Sequence, residues 1–415
     1  MAITAVRTGL RERRSAASRN LFLIAIAVIA LVALQLIPLP PSLWANLGPR
    51  AQVAEGLRTL TGSVPPEPLS LTPAATLNSL LSIIPPLAIL CAMLRLRTYR
   101  PQWIAFALVA GALAGTALGA LQVASSSTEL SPWYLYGETN VGNAVGFFAN
   151  VNHMASVLIV TIPFLAAIVA AGRTKNMQRY SAIVAIAAGL AIVVVVGIAL
   201  NGSLAGYGLA LPVVAASVLV VLPPSSPLRL WVVALAALLF VGVVAALEVT
   251  PIGSARIGEH AESSVQSRAH IFSTTTRAAS DFMPFGSGLG SFRAVYPLYE
   301  RPDQVGNEYV VHAHNDYAEV ALELGAGGVI LILLFLAWWG AAVWRAWRSA
   351  EVRPYARAAA IASAAVLIHS LVDFPLRTAA IAALFGACLA LLADSRAAPP
   401  KEKSPLRRKR HVEFK

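Results

Sequence analysis

The chain has 415 residues, 57% of them hydrophobic and 13% charged, a charged share about half that of soluble domains. Length alone would suit two or three soluble domains, but repeated apolar runs of about 20 residues point instead to one all-α polytopic membrane bundle. The formal net charge of +12 raises nucleic acid as a partner, and its distribution argues against one. The two cysteines, Cys91 and Cys388, both lie in apolar runs and exclude a disulfide framework.

Residues 1–20 are basic and lead into "LFLIAIAVIALVALQLI", too long an apolar core for a cleaved signal peptide. A retained first helix is expected. Ten spans are predicted, at about 21–38, 77–94, 102–123, 148–171, 181–200, 204–222, 229–247, 318–344, 357–373 and 379–394. The bundle then covers 21–394, with 1–20 and 395–415 as basic cytoplasmic ends. With the N-terminus inside, the inner segments carry 24 of the 32 Lys and Arg residues and the outer segments eight. That bias sets the orientation and assigns most of the positive charge to topology and contact with anionic membrane lipid. Every lysine falls inside, and the eight outer cations are all arginine, whose planar fork matches phosphate bidentately.

Four segments face outward. The first, 39–76, is rich in Pro and Leu and reads as interfacial packing, with Trp44 as a headgroup-level anchor. The second carries Trp133, Tyr134 and Tyr136 ahead of "NVNH". Asn150, Asn152 and His153 there suit helix capping or bonding to a neighbouring helix, with sugar-hydroxyl recognition as the alternative. The third, about 248–317, contains an amphipathic helix of about 20 residues whose apolar stripe is read as Val265, Ala269, Phe272, Thr276, Ala279, Phe282 and Met283. Arg268, His270 and Arg277 lie off that stripe. Pro284 and "GSGLG" end the helix, and Gly286, Gly288 and Gly290 read as a tight turn rather than a nucleotide loop. The fourth, "IHSLVDFPLRT", puts His369 and Asp373 at helical i, i+4 spacing with Arg377 one turn on. Ionisable groups in a span are functional candidates because burying them is costly, a locking cluster between helices being the alternative.

At the end of the third segment, "VVHAHNDYAEVALELGAGG" sets two histidines and several carboxylates at the mouth of a hydrophobic run. Asn315 or Asp316 would cap the following helix, and Asp316, Glu319 or Val320, and Glu323 would share one face. These carboxylates require partners, and the outer arginines are the natural ones. The spacing holds no zinc-hydrolase motif, so no metal is expected. His314 and His312 are base candidates and Asp316 a candidate to hold the imidazole.

"FFANVNHMASVLIV", "PFGSGLGSFRAVYP", "HAHNDYAEVALELGAGGVI" and "HSLVDFPLRTAA" together resemble the motifs of the O-antigen ligase/polymerase superfamily, over roughly residues 140–380. The resemblance implies a glycosyltransferase of the bacterial inner membrane, multi-pass, with its active site facing the periplasm. It would serve lipopolysaccharide or exopolysaccharide biosynthesis, transferring a glycan from an undecaprenyl-pyrophosphate-linked oligosaccharide donor to a glycan or lipid A-core acceptor. No cofactor is implied. The block's histidine maps to His314 and a pyrophosphate-contacting arginine to Arg268, with Arg277 and Arg293 as further donor-binding candidates. Asn315, Glu323, Asn152, His153, His369, Asp373 and Arg377 are the supporting polar residues. One departure is plain: where many members carry Ser-Arg-Gly, this chain has Ser203 followed by Leu204. A transporter or flippase of lipid-linked sugars is the alternative, but it should show repeated halves, and none is visible. A haem-handling protein is disfavoured because the dense Trp run, "WWGAAVWRAW", heads inward.

Overall fold

The computed structural model describes residues 15–96, 99–125, 131–223, 225–249, 258–302, 305, 309–349 and 353–394. The first and last basic stretches, 1–14 and 395–415, lie outside the described residues. The chain is almost wholly helical: α1 (Ala16–Leu34), α2 (Pro41–Trp44), α3 (Arg50–Thr61), α4 (Pro73–Ser82), α5 (Ile84–Leu96), α6 (Pro101–Ala124), α7 (Val151–Ala171), α8 (Met177–Asn201), α9 (Leu204–Val221), α10 (Leu228–Val249), α11 (Gly258–Asp281), α12 (Phe292–Val295), α13 (Asp316–Arg348), α14 (Pro354–His369) and α15 (Ala379–Ala393). Two short strands, β1 (Pro38–Leu39) and β2 (Glu67–Pro68), pair antiparallel in the first outer segment.

Local signals start these helices where polar side chains free the first amides from needing water. Ser15, Asn150, Asn176 and Ser203 cap α1, α7, α8 and α9, and Pro101 and Pro354 open α6 and α14. Among the described residues, seven helical stretches are long and apolar enough to cross a membrane, including the joined Pro73–Arg95 and Asp316–Arg348. The remaining predicted spans coincide with α10, α14 and α15. Among those seven, α7 is the most buried, packed against α8, α9 and α14. On α8 and α10, Ile186, Ile192, Leu230, Trp231 and Leu238 stay exposed, as suits surfaces that meet lipid rather than water.

Several expectations change. The predicted ninth span, 357–373, stops as a helix at His369. Pro375 forces Phe374 out of the helical region (φ −125°, ψ 52°), so Asp373 lies in a turn, not on one helix face with His369. The stripe of α11 is also rotated. Ile271, Thr274, Thr275, Ala278, Ala279 and Phe282 are buried, whereas Ala269, Phe272, Thr276 and Met283 are exposed. Small residues let α11 approach α13 closely, so bulk did not mark the buried face. The side chain of Val265 lies outside the described residues. Trp44 is no headgroup anchor: it is buried and donates its Nε1–H to Pro68 O at 2.8 Å.

α13 is two helices. Gly325 interrupts it at φ 59°, ψ −148°, a conformation open to glycine and not to other residues without strain. Ala326–Arg348 is left to span on its own, about 34 Å at 1.5 Å per residue. The acidic segment Asp316–Leu324 precedes the break. Three of the groups at the break bond to the 284–288 turn: Ala326 N donates to Pro284 O, Ser287 N to Leu322 O and Gly288 N to Glu323 O, each at 2.9 Å. Gln35 completes the joint, its Nε2 donating to Glu323 O at 2.8 Å while its Oε1 accepts from Leu289 N at 3.0 Å. Arg50, buried in the first outer segment, donates to Leu69 O and Gly286 O. That segment is thus the brace of the break, beyond the packing expected of it.

Candidate functional site: a histidine and carboxylate cluster around Phe374

The site forms where the start of α13, the end of α14 and the turn 370–378 meet the start of α7. Asn315 caps α13 by accepting from Ala318 N and donates from Nδ2 to Leu371 O at 2.9 Å. Asp316 N donates to Ser370 O at 2.9 Å, and the Tyr317 hydroxyl donates to Leu367 O at 2.7 Å. α13 is thereby docked onto the last turn of α14.

Three carboxylates on one face of α13 converge on Arg377. Its Nη2 lies 2.9 Å from Glu323 Oε2, its Nη1 3.1 Å from Glu319 Oε1 and its Nε 3.7 Å from Asp316 Oδ1. Glu319 and Glu323 are fully buried. Burial opposes the charge of Arg377, and Glu323, Glu319 and Asp316 together override it, holding its pKa above the ordinary arginine value. Asp316 Oδ2 also accepts from Ser370 Oγ at 2.8 Å, and Glu323 Oε1 from Phe292 N at 3.2 Å. Removing any one partner would strand buried charge, so the group is a lock between α13 and the turn.

Four histidines surround the adjacent turn. His314 Nδ1 is 3.0 Å from Asp373 Oδ1. His312 Nδ1 is 2.9 Å from Glu319 Oε1. His369 Nδ1 is 2.8 Å from Ser156 Oγ, and His153 Nδ1 is 3.1 Å from Thr378 Oγ1. Phe374 stands among three of them, its ring centroid 4.3 Å from that of His312, 5.0 Å from His314 and 5.3 Å from His153. The expected partner for the His314 imidazole, Asp316, is engaged with Ser370 and Arg377; Asp373 takes that place because the turn, not the helix, faces His314. Likewise His369, Asp373 and Arg377 form no common chain of bonds, for each points to a different element.

His314 is the single non-glycine residue with positive φ among the described residues, at 48°. Such strain costs on the order of 1–3 kcal/mol and clusters at functional sites. Asp373 is fully buried, and its Oδ2 has no hydrogen-bond partner. A carboxylate only accepts, so in the neutral imidazole Nδ1 carries the proton and Nε2 keeps its lone pair. The His314 side chain is a quarter exposed, at 25%. An imidazole held in this way can take up a proton at Nε2.

The outer arginines divide. Arg268, half-buried on α11, lies within electrostatic range of His369. Arg277 is exposed and donates to Tyr299 O, and Arg293 is exposed on α12. Ser203, which Leu204 follows in place of an arginine, caps α9 by accepting from Gly206 N and donates to Asn152 Oδ1 at 2.7 Å. Asn150 caps α7, so helix capping and interhelix bonding account for this segment. The amides of Ser287, Gly288 and Leu289 are committed to Leu322, Glu323 and Gln35, which leaves the glycine turn without a phosphate cradle. Among the described residues no group of three or more His, Cys, Asp and Glu side chains is arranged to hold a metal ion.

Sequence reasoning missed Phe374, Ser156, Thr378, Gln35 and the pairing of His314 with Asp373. Gln35 carried a signal, a lone amide at the end of an apolar run. The others carried none, because their partners are 59 to 225 residues away.

A polytopic helical membrane protein with acid-anchored histidines at one end of its bundle is the class that fold and site define. Residues 188–333 match the family model described as O-antigen ligase, which places that stretch in the O-antigen ligase/polymerase superfamily. The match supports glycan transfer of the ligase/polymerase type in general, using a lipid-linked glycan and an acceptor. It takes in Arg268, His312, His314 and the α13 carboxylates and stops before Asp373 and Arg377. No curated protein matches the chain.

Proposed function

We propose that the chain is a periplasm-facing glycosyltransferase of the bacterial inner membrane that moves a glycan from undecaprenyl pyrophosphate to a sugar hydroxyl, without a metal. The observation that carries this is His314, strained at φ 48° and held through Nδ1 by the buried Asp373. His314 Nε2 takes the proton of the acceptor hydroxyl, and the acceptor oxygen bonds to the anomeric carbon. The bond from that carbon to the pyrophosphate oxygen breaks, and the lipid pyrophosphate leaves with the electron pair. Asp373 stabilises the imidazolium as Asp does in the Ser-His-Asp template. Arg268 is the donor-binding cation best supported, since it lies within electrostatic range of His369; a guanidinium fork can carry pyrophosphate charge in place of a metal. Arg377 is ruled out of that role by its three carboxylates. Arg277 and Arg293 would meet the donor farther out.

Orientation follows from the basic residues: reporter fusions after Arg301 should read periplasmic and fusions after Arg348 cytoplasmic, and the reverse would end the proposal. The function is tested by glycan analysis of a deletion strain. Loss of the finished surface glycan with intact lipid-linked units is expected; failure to export those units would support the flippase alternative.

A further inference from the structure

At the opposite end of the bundle, three arginines gather with no carboxylate paired to them among the described residues. Arg229, at the start of α10, and Arg357, in the first turns of α14, both stack on Trp347, with guanidinium carbons 5.5 Å and 5.1 Å from its ring centroid. Arg353 joins them, and both Arg229 and Arg353 are close enough to repel Arg357. All three borrow helix C-terminal carbonyls. Arg229 Nη1 donates to Leu219 O and Leu222 O at 3.1 Å, and Arg353 Nη1 donates to Asp394 O. These are partial charges that attract a cation without neutralising it. Arg357 has less: it is 1% exposed, its Nε reaches Ala346 O only at 3.5 Å, and its Nη1 has no partner. Among the described residues no carboxylate pairs with any of the three.

A buried guanidinium with an open donor, flanked by two like charges, is unfavourable unless an anion arrives. The anion must be compact, accept from several forks at once and reach the end of a membrane bundle. A phosphate meets these demands, and planar guanidinium forks match it bidentately. Basic pockets between helices at a membrane surface hold lipid headgroups in this manner. Trp347 supplies a flat wall that keeps both guanidiniums oriented through cation–π contact.

We propose that Arg229, Arg353 and Arg357 with Trp347 form a binding site for the phosphate of an anionic phospholipid headgroup. The site lies the full length of α13 from the histidine cluster and is independent of the activity proposed there.

The test uses the full-length protein purified in a neutral detergent, with thermal unfolding followed as lipid is added. Phosphatidylglycerol should raise the midpoint in a saturable way, and phosphatidylcholine should not. Arg357→Gln, and separately Arg229→Gln, should weaken phosphatidylglycerol binding about ten- to hundredfold, the range for charge-assisted hydrogen bonds. Arg345→Gln, an equal charge change on an exposed residue of the same end, should leave binding unchanged. Arg229 is only partly buried, so its variant serves if Arg357→Gln fails to fold. Inorganic phosphate at millimolar concentration should give no comparable shift; an equal shift would keep the phosphate site but overturn the lipid as its source. Equal stabilisation by both lipids, or an undiminished effect of phosphatidylglycerol in both variants, would overturn the proposal outright.

Discussion

The loop-borne pair His314–Asp373 and the helix-borne pair His312–Glu319 look alike by distance, 3.0 Å and 2.9 Å, and by exposure of the imidazole, 25% and 28%. Their surroundings differ. Glu319 also receives Arg377 Nη1 at 3.1 Å and Ala313 N at 2.8 Å, so its charge is shared among three donors. Asp373 has His314 as its one side-chain hydrogen-bond donor and an unpartnered Oδ2. A carboxylate shared with a guanidinium and a backbone amide is held by the lock between α13 and the turn, whereas one whose single side-chain donor is an imidazole serves to orient that ring. Distance therefore does not single out the base; the other partners of each carboxylate do.

Breaking His314 should have the largest effect. His314→Ala is expected to cut turnover about 10²–10⁴-fold, the usual worth of a general base, with donor binding nearly unchanged. His314→Asn should do the same while tolerating the left-handed backbone. Both are read as turnover against donor binding at equal membrane abundance. If His314→Ala turns over normally while His312→Ala is inactive, the assignment of the two pairs is reversed.

Asp373→Asn comes next. It keeps the volume but can present an N–H to Nδ1 and favour the wrong tautomer, with an expected loss of about 10- to 100-fold as for other outer-shell partners of a working histidine. Addition of imidazole to His314→Ala should restore part of its activity when Asp373 is present and none in the double variant with Asp373→Asn. Equal rescue in both would remove Asp373 as the positioning group.

Glu319→Gln should separate stability from chemistry. It breaks a buried network and should destabilise by about 1–3 kcal/mol, seen as a lower unfolding midpoint and lower abundance. Turnover per folded molecule should change less than in Asp373→Asn, and a larger change would place the helix-borne pair in the reaction. His312→Ala, whose side chain ends the same network at its exposed edge, should lower turnover only about two- to fivefold, well short of the loss expected of a general base. EDTA should be the smallest effect of all, with activity on a lipid-linked donor unchanged; a loss restored by one divalent ion would remove the premise that guanidinium carries the leaving-group charge.

The sequence by itself determined the all-α membrane architecture, because apolar runs of the right length need no partner to be recognised. It determined the face of α13 that carries Asp316, Glu319 and Glu323, since i, i+3/4, i+7 spacing is local, and it required a cation for them. It pointed to the histidines of the "HAHND" stretch as a place of interest for the same reason. Which cation answers was decided only by the tertiary structure, which turns Arg377 toward α13 through a break ahead of Pro375. So was the choice of Asp373 for His314, because the turn that carries it belongs to another pair of helices. The buried stripe of α11 was likewise decided by packing, because the face turned to α13 mixes Thr274, Thr275, Ala278 and Ala279 with Ile271 and Phe282 and so carries no continuous bulky row. Gln35 stood out locally as a lone amide, but its partner Glu323 did not, and Phe374 was beyond local reasoning altogether: each works through contacts between segments that only packing brings together, and no spacing within one helix encodes a distant neighbour.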